Sequence, residues 1–199
     1  MKKTLISTAL AAVMGFAMLA PTIASASDGT ITFNGQITDT TCTVTGGGAA
    51  TGTGNITVTL PTVSVSSLPG KGSTAGDTAF SLILSGANCT NGKTAALWIE
   101  TTQTPALDTA TGALTNQATG GAGNVEVRMV NPANNQPINL GINDYVTDGA
   151  SVVAANNQPA YTISGNTGTL KYVAQYLAAG AAASAGLVNT YLTYSMQYN

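Results

Sequence analysis

The sequence predicts an all-β protein: an antiparallel β-sandwich carrying one disulfide. Three observations lead there. Short runs rich in Thr, Val, Ile and Tyr recur between clusters of Gly, Asn, Pro and Ser, the signature of half-buried strands separated by turns. No helix-period apolar stripe interrupts them, and no internal repeat is visible. Two cysteines, Cys42 and Cys89, both follow an N-terminal export segment.

That segment sets the compartment. Lys2 and Lys3 form a positive start, an apolar run follows from Leu5 to Leu19, and Ala24-Ser25-Ala26 supplies the small residues of a cleavage site. This is the pattern of a secretory signal peptide, residues 1–26, cleaved after Ala26. A retained membrane helix fits less well, because the run falls short of the ~20 apolar residues a span needs and Pro21 breaks it. Cleavage leaves 173 residues, the size of one domain. In an oxidising compartment Cys42 and Cys89 read as a disulfide, whereas a two-cysteine metal site lacks the further ligands zinc requires.

The strand elements follow in order. Ile31 to Ile37 alternates apolar or small residues with polar ones, placing Ile31, Phe33, Gly35 and Ile37 on one side. Gly46 to Gly54 reads as a Gly/Ala/Thr loop. Asn55 to Leu60 alternates again, with Ile56, Val58 and Leu60 on one face. Phe80 to Leu84 leads towards Cys89, and Ala95 to Glu100 carries Trp98, expected in the core against the disulfide. Asn124 to Val130 has period two, and residues 131–137 read as a turn into a returning strand that starts near Ile138. Thr169 to Leu177 and Asn189 to Tyr198 are the last strands, joined by an Ala/Gly stretch read as a loop. In the final strand Leu192, Tyr194, Met196 and Tyr198 occupy alternate positions, and no charge or proline protects its edge.

Composition argues against several chemistries. There is no histidine, which removes the commonest general base and metal ligand. Beyond residue 26 four basic residues (Lys71, Lys93, Arg128, Lys171) face eight acidic ones, a net charge of −4. Scattered as they are, those cations do not suit nucleic acid. Asp39, Asp108, Asp144 and Asp148 read as solvated loop charges, not as the opposed carboxylate pair of a glycosidase. No enzyme, metal or cofactor is expected.

The chain resembles the major subunits of type 1 fimbriae, the chaperone–usher pilin family. The features that carry the resemblance are the signal peptide, a short N-terminal extension, the first cysteine in Thr41-Cys42-Thr43-Val44, and a second cysteine a little under fifty residues on. A segment like Asn124-Val125-Glu126-Val127-Arg128 follows, then the Ala/Gly-rich tract from Tyr176, with Gly186 fourteenth from the end and Tyr198 penultimate. The resemblance implies an incomplete immunoglobulin-like sandwich of six own strands, with a seventh donated by a partner. Residues 27–41 would be the donor extension and 42–199 the pilin domain. Ile31, Phe33, Gly35 and Ile37 would enter a neighbour's groove. Gly186, Leu192, Tyr194, Met196, Tyr198 and Asn199 would form the acceptor groove and chaperone-binding site, with the Asn199 carboxylate offered to basic residues of the chaperone. Implied partners are identical subunits, a periplasmic chaperone, an outer-membrane usher and other pilus subunits, and the implied location is a surface fimbrium reached through the periplasm. A minor adaptor or terminator subunit, or an adhesin-type binding module of the same fold, is the alternative.

Overall fold

Alternating apolar residues and well-placed glycines give twelve strands in the computed structural model, which describes residues 32, 35, 37–143 and 156–199. They are β1 (Thr43–Gly48), β2 (Ala50–Thr51), β3 (Thr57–Val58), β4 (Thr74–Ser85), β5 (Thr94–Ile99), β6 (Leu107–Asp108), β7 (Ala113–Thr115), β8 (Val125–Asn131), β9 (Gln136–Pro137), β10 (Ala160–Thr162), β11 (Thr167–Ala178) and β12 (Tyr194–Tyr198). Six of them, β1, β4, β5, β8, β11 and β12, run five residues or more, in agreement with six own strands. Residues 37–199 form one unit. In the other, residues 1–36, Thr32 and Gly35 are described and both are exposed. The expected signal peptide lies outside the described residues.

Every pairing among the described strands is antiparallel. The main sheet has the order β1-β4-β11-β8-β7-β6, with β9 beside β8; the second sheet is β10-β5-β12; β2 and β3 form a small hairpin. Between the sheets lies one apolar layer. Leu82, Leu84, Leu170 and Tyr172 from the main sheet meet Ala95, Leu97 and Ile99 from the second, and Ile138, Leu140 and Ile163 fill the remaining space. Each large side chain so buried contributes roughly 1.5–3 kcal/mol. Phe80 and Tyr172 stand opposite one another on β4 and β11, their rings stacked with centroids 5.4 Å apart.

On the outer face of this sheet a polar chain crosses three strands. With the Gln175 amide oriented to satisfy both neighbours, its nitrogen donates to Asp77 Oδ1 at 2.7 Å and its oxygen accepts from Arg128 Nε at 2.9 Å. Burial still holds the Arg128 guanidinium below its usual pKa.

Cys42 and Cys89 are bonded, their Cα atoms 4.5 Å apart. The bridge ties the start of β1 to the turn after β4, where Thr41 N also donates to Asn88 O and Thr40 Oγ1 to Thr90 Oγ1.

The structure corrects several expectations. Gly46, Gly47 and Gly48 belong to β1, not to a loop. A Cβ on Gly46 would sit 2.7 Å from Thr51 N, and one on Gly47 2.7 Å from Ser81 Oγ, so glycine here serves close packing of a strand. Trp98 does not enter the core. Leu97 and Ile99 point inward, so Trp98 between them lies half-buried on the other face of β5. β8 is buried on both faces apart from Arg128, because it is an interior strand and its outward Glu126 is covered by Thr111. Asp108 stands on β6 beside Glu126, not on a solvated loop. Of Asn55–Leu60 only Thr57–Val58 pair, yet Ile56, Val58 and Leu60 share the half-buried face as expected. The last strand begins at Tyr194, not Asn189. Asn189 N and Thr193 N are satisfied by Asn116 Oδ1 and Thr104 Oγ1, so neither is left for a ladder.

Two measurements check this account. Cys42→Ser is expected to lower stability by up to about 4 kcal/mol, the loop-closure value for a ring of this size, read as a lower urea midpoint. Glu126 is held above the ordinary carboxylate range chiefly by burial, with Asp108 adding to the shift and the Thr111 hydrogen bond opposing it. The folded state therefore holds that proton more tightly than the unfolded chain. Its stabilising effect is complete at acid pH and is lost as pH rises through the folded value. Glu126→Gln is expected to flatten that part of the stability–pH profile, and an unchanged slope would assign it elsewhere.

Candidate functional site: the open edge of the last strand

β12 is apolar at alternate positions, which selects the face it presents to the core. Tyr194, Met196 and Tyr198 stand opposite Ile99, Leu97 and Ala95 of β5 and pack on the core cluster together with Leu192. All four remain half-buried. Ser195 faces outward and donates to Glu100 Oε1.

The hydrogen-bond parity of the pair fixes which backbone groups are used. Asn199 and Thr94 exchange both bonds, at 3.0 and 2.8 Å, and Glu100 N donates to Thr193 O at 2.9 Å. In an antiparallel ladder such doubly bonded pairs alternate with pairs whose N–H and C=O groups point away. Ser195, Gln197 and Asn199 therefore turn their backbone groups to β5, as does the Thr193 carbonyl, while the Thr193 N–H is held by Thr104 Oγ1. Those of Tyr194, Met196 and Tyr198 face the opposite edge, and among the described strands β12 has no partner but β5. The residues that bury their side chains are thus the ones whose main chain faces the open edge.

Across that edge lie the start of β1 and the β2–β3 hairpin. The edge of β1 is already taken by residues 52–54: Gly46 N donates to Gly52 O and Gly54 N to Val44 O, both at 2.9 Å. Two phenols span the seam. Cys42 N donates to the Tyr198 hydroxyl at 3.1 Å, and the Tyr194 hydroxyl donates to Gly54 O at 2.6 Å. Burial, aided by Tyr198, raises the Tyr194 pKa, so its hydroxyl stays a donor at neutral pH. Sequence reasoning missed these two bonds. Tyrosines at alternate positions hint at polar tips, but nothing in the sequence names their partners.

The other expected site residues are placed as follows. Gly186 lies on the approach to β12, where a Cβ would come within 2.3 Å of Ala122 N. Its neighbour Leu187 accepts from Ala122 N and Asn116 Nδ2, both at 2.9 Å. Gly186 thus anchors the segment that leads into β12. Ile31 and Phe33 lie outside the described residues. Gly35 is exposed, with no atom within 4 Å of a Cβ built on it, and Ile37 is 99 % exposed. Among the described residues no cluster of Cys, Asp and Glu is arranged to hold a metal, and no helix is long and apolar enough to cross a membrane.

The fold defines a class: a two-sheet, disulfide-bonded β protein whose last strand, among the described strands, is paired on one side. A model of the FimA type-1 fimbrial protein family matches residues 60–199. The chain is 38% identical over 173 residues to an F17 fimbrial protein of Escherichia coli, covering 86% of this chain and 87% of the relative. It is 36% identical over 181 residues to the major fimbrial subunit SMF-1 of Stenotrophomonas maltophilia, covering 90% and 98% respectively. A crystal structure of a type I fimbria protein of Burkholderia pseudomallei shares the fold, with a TM-score of 0.50 and 23% identity over 79% of this chain and all of that one. The chain belongs to the FimA type-1 fimbrial protein family and is a chaperone–usher fimbrial subunit, a component of the surface fimbrium.

Gly186→Ala is expected to destabilise the protein by about 1–3 kcal/mol, since the added methyl meets backbone that cannot rotate away. Thermal unfolding measures it, and a wild-type midpoint would show that residues 121–122 yield.

Proposed function

We propose that this chain is the major, rod-forming subunit of its fimbria and that it polymerises by donor-strand exchange. Residues 1–26 direct export and are removed, residues 27–41 are the donor extension, and residues 42–199 are the pilin domain. A periplasmic chaperone first covers the seam beside β12, an outer-membrane usher receives the complex, and the extension of the next subunit then replaces the chaperone. Addition of a strand to an unpaired sheet edge is a general mode of recognition, in which main-chain bonds give affinity and alternate side chains give register.

The observation that carries this reading is the edge of β12. Tyr194, Met196 and Tyr198 offer backbone donors and acceptors to that side while their side chains stay half-buried. Ile37 supports the donor role from the other direction, being a large aliphatic residue that the described chain leaves 99 % exposed. Ile31 and Phe33 share its alternation in the sequence, and each such side chain is worth roughly 1.5–3 kcal/mol when buried. Gly35 lets the strand approach its acceptor closely. The chain's relatives include proteins described as a major and as a minor fimbrial subunit, so the rod role is argued from the low charge and the Ala-, Gly- and Thr-rich composition, which suit a packed shaft. The role is structural, with no catalytic step.

The test uses the full chain expressed with its export partners. Deleting residues 28–38 should leave a subunit that accumulates in the periplasm but adds no fibres seen by electron microscopy. Fibres at wild-type density would refute the donor role. Immunogold against this subunit should label the whole shaft, and label confined to tips or bases would make it a minor component.

A further inference from the structure

We propose that the hydroxyls of Tyr194 and Tyr198 are struts that hold the seam beside β12 at the width an added strand needs, an inference that rests on the donor-strand reading above. The two bonds sit towards opposite ends of β12, one to Gly54 O at 2.6 Å and one from Cys42 N at 3.1 Å, with Met196 between them. Both reach main-chain atoms that are fixed independently. Cys42 is held by its disulfide to the fully buried Cys89. Gly54 is held by its own N–H to Val44 O, next to the Thr45–Thr53 bridge. On the other side β12 is held by β5.

Something must keep such a seam apart. Leu192 and Met196 on the β12 side, and Ile56, Val58 and Leu60 on the hairpin, are all half-buried on the same core. Apolar surface left in this state favours closure, because closing removes it from water. A hydroxyl bonded across the gap sets the spacing by its own length. The phenols do this without consuming the backbone groups of residues 194, 196 and 198, so the ladder positions an incoming strand needs stay available. A main-chain contact between the walls would use those groups up. Phenylalanine at either position keeps the ring and removes the strut alone.

The experiment takes the mature chain purified from the periplasm and adds a labelled peptide of residues 28–38. Association and affinity are followed for wild type, Tyr194→Phe and Tyr198→Phe, with Tyr161→Phe, on exposed β10, as a control. Loss of one net hydrogen bond corresponds to about a two- to tenfold change in an equilibrium constant. Each seam variant is expected to bind the peptide two- to tenfold more weakly, and the control to match wild type. Tyr198→Phe should also speed amide exchange at Cys42. Seam variants that bind as tightly as wild type, or more tightly, overturn the strut role while leaving donor-strand exchange intact. A wild-type chain that ignores the peptide overturns both.

Discussion

The rest of this structure depends on a ladder that is complete on one side and open on the other. β12 is bonded to β5 through Ser195, Gln197 and Asn199, and the alternate residues turn their main chain outward. Because strand side chains and backbone bonds share a period of two, this arrangement couples the two properties. The residues that contribute apolar surface to the core are the residues that offer hydrogen bonds to an additional strand. If a neighbouring subunit adds a strand as proposed, this coupling alone would supply its acceptor edge.

The surrounding fold makes that edge durable. The long β4 and β11 pair, with the Phe80–Tyr172 stack in register, builds the main sheet against which the β5–β12 sheet packs. The disulfide fixes Cys42, which is both the start of β1 and the partner of the Tyr198 phenol. Glycine at 186, crossing within contact distance of residues 121–122, fixes where the segment enters β12. The Cys42–Cys89 bridge and Gly186 lie far apart in sequence and fix, respectively, the partner of the Tyr198 phenol and the segment that enters β12.

Much of this was legible in the sequence because the pattern of β12 is strong. Four apolar residues at alternate positions have one structural reading, and the structure places them on the core face, although the ladder itself starts at Tyr194. The disulfide was legible because an export segment left two cysteines with nothing else to bind. Other features were not. Glycines at 46 and 47 look like a loop when read locally, since the Thr51 and Ser81 atoms that exclude a side chain lie 5 and 34 residues away along the chain. Trp98 was misplaced because type alone suggests burial, whereas the parity of its strand decides its face. Composition likewise made Asp108 a solvated loop charge, and the pairing of β6 with β7 overrides that. The tyrosine hydroxyl bonds depend on contacts 140 and 156 residues apart, which no local pattern encodes.

The central claim is that the outward main chain of β12 receives a strand from a neighbouring subunit. Residue-resolved amide hydrogen exchange on the subunit and on assembled fibres tests it most directly. The account predicts that the Ser195 and Gln197 amides are slow in both states, while those of Tyr194, Met196 and Tyr198 exchange readily in the subunit and become slow in the fibre. Equal protection of all five before assembly, or no gain at the alternate three after it, would contradict the account.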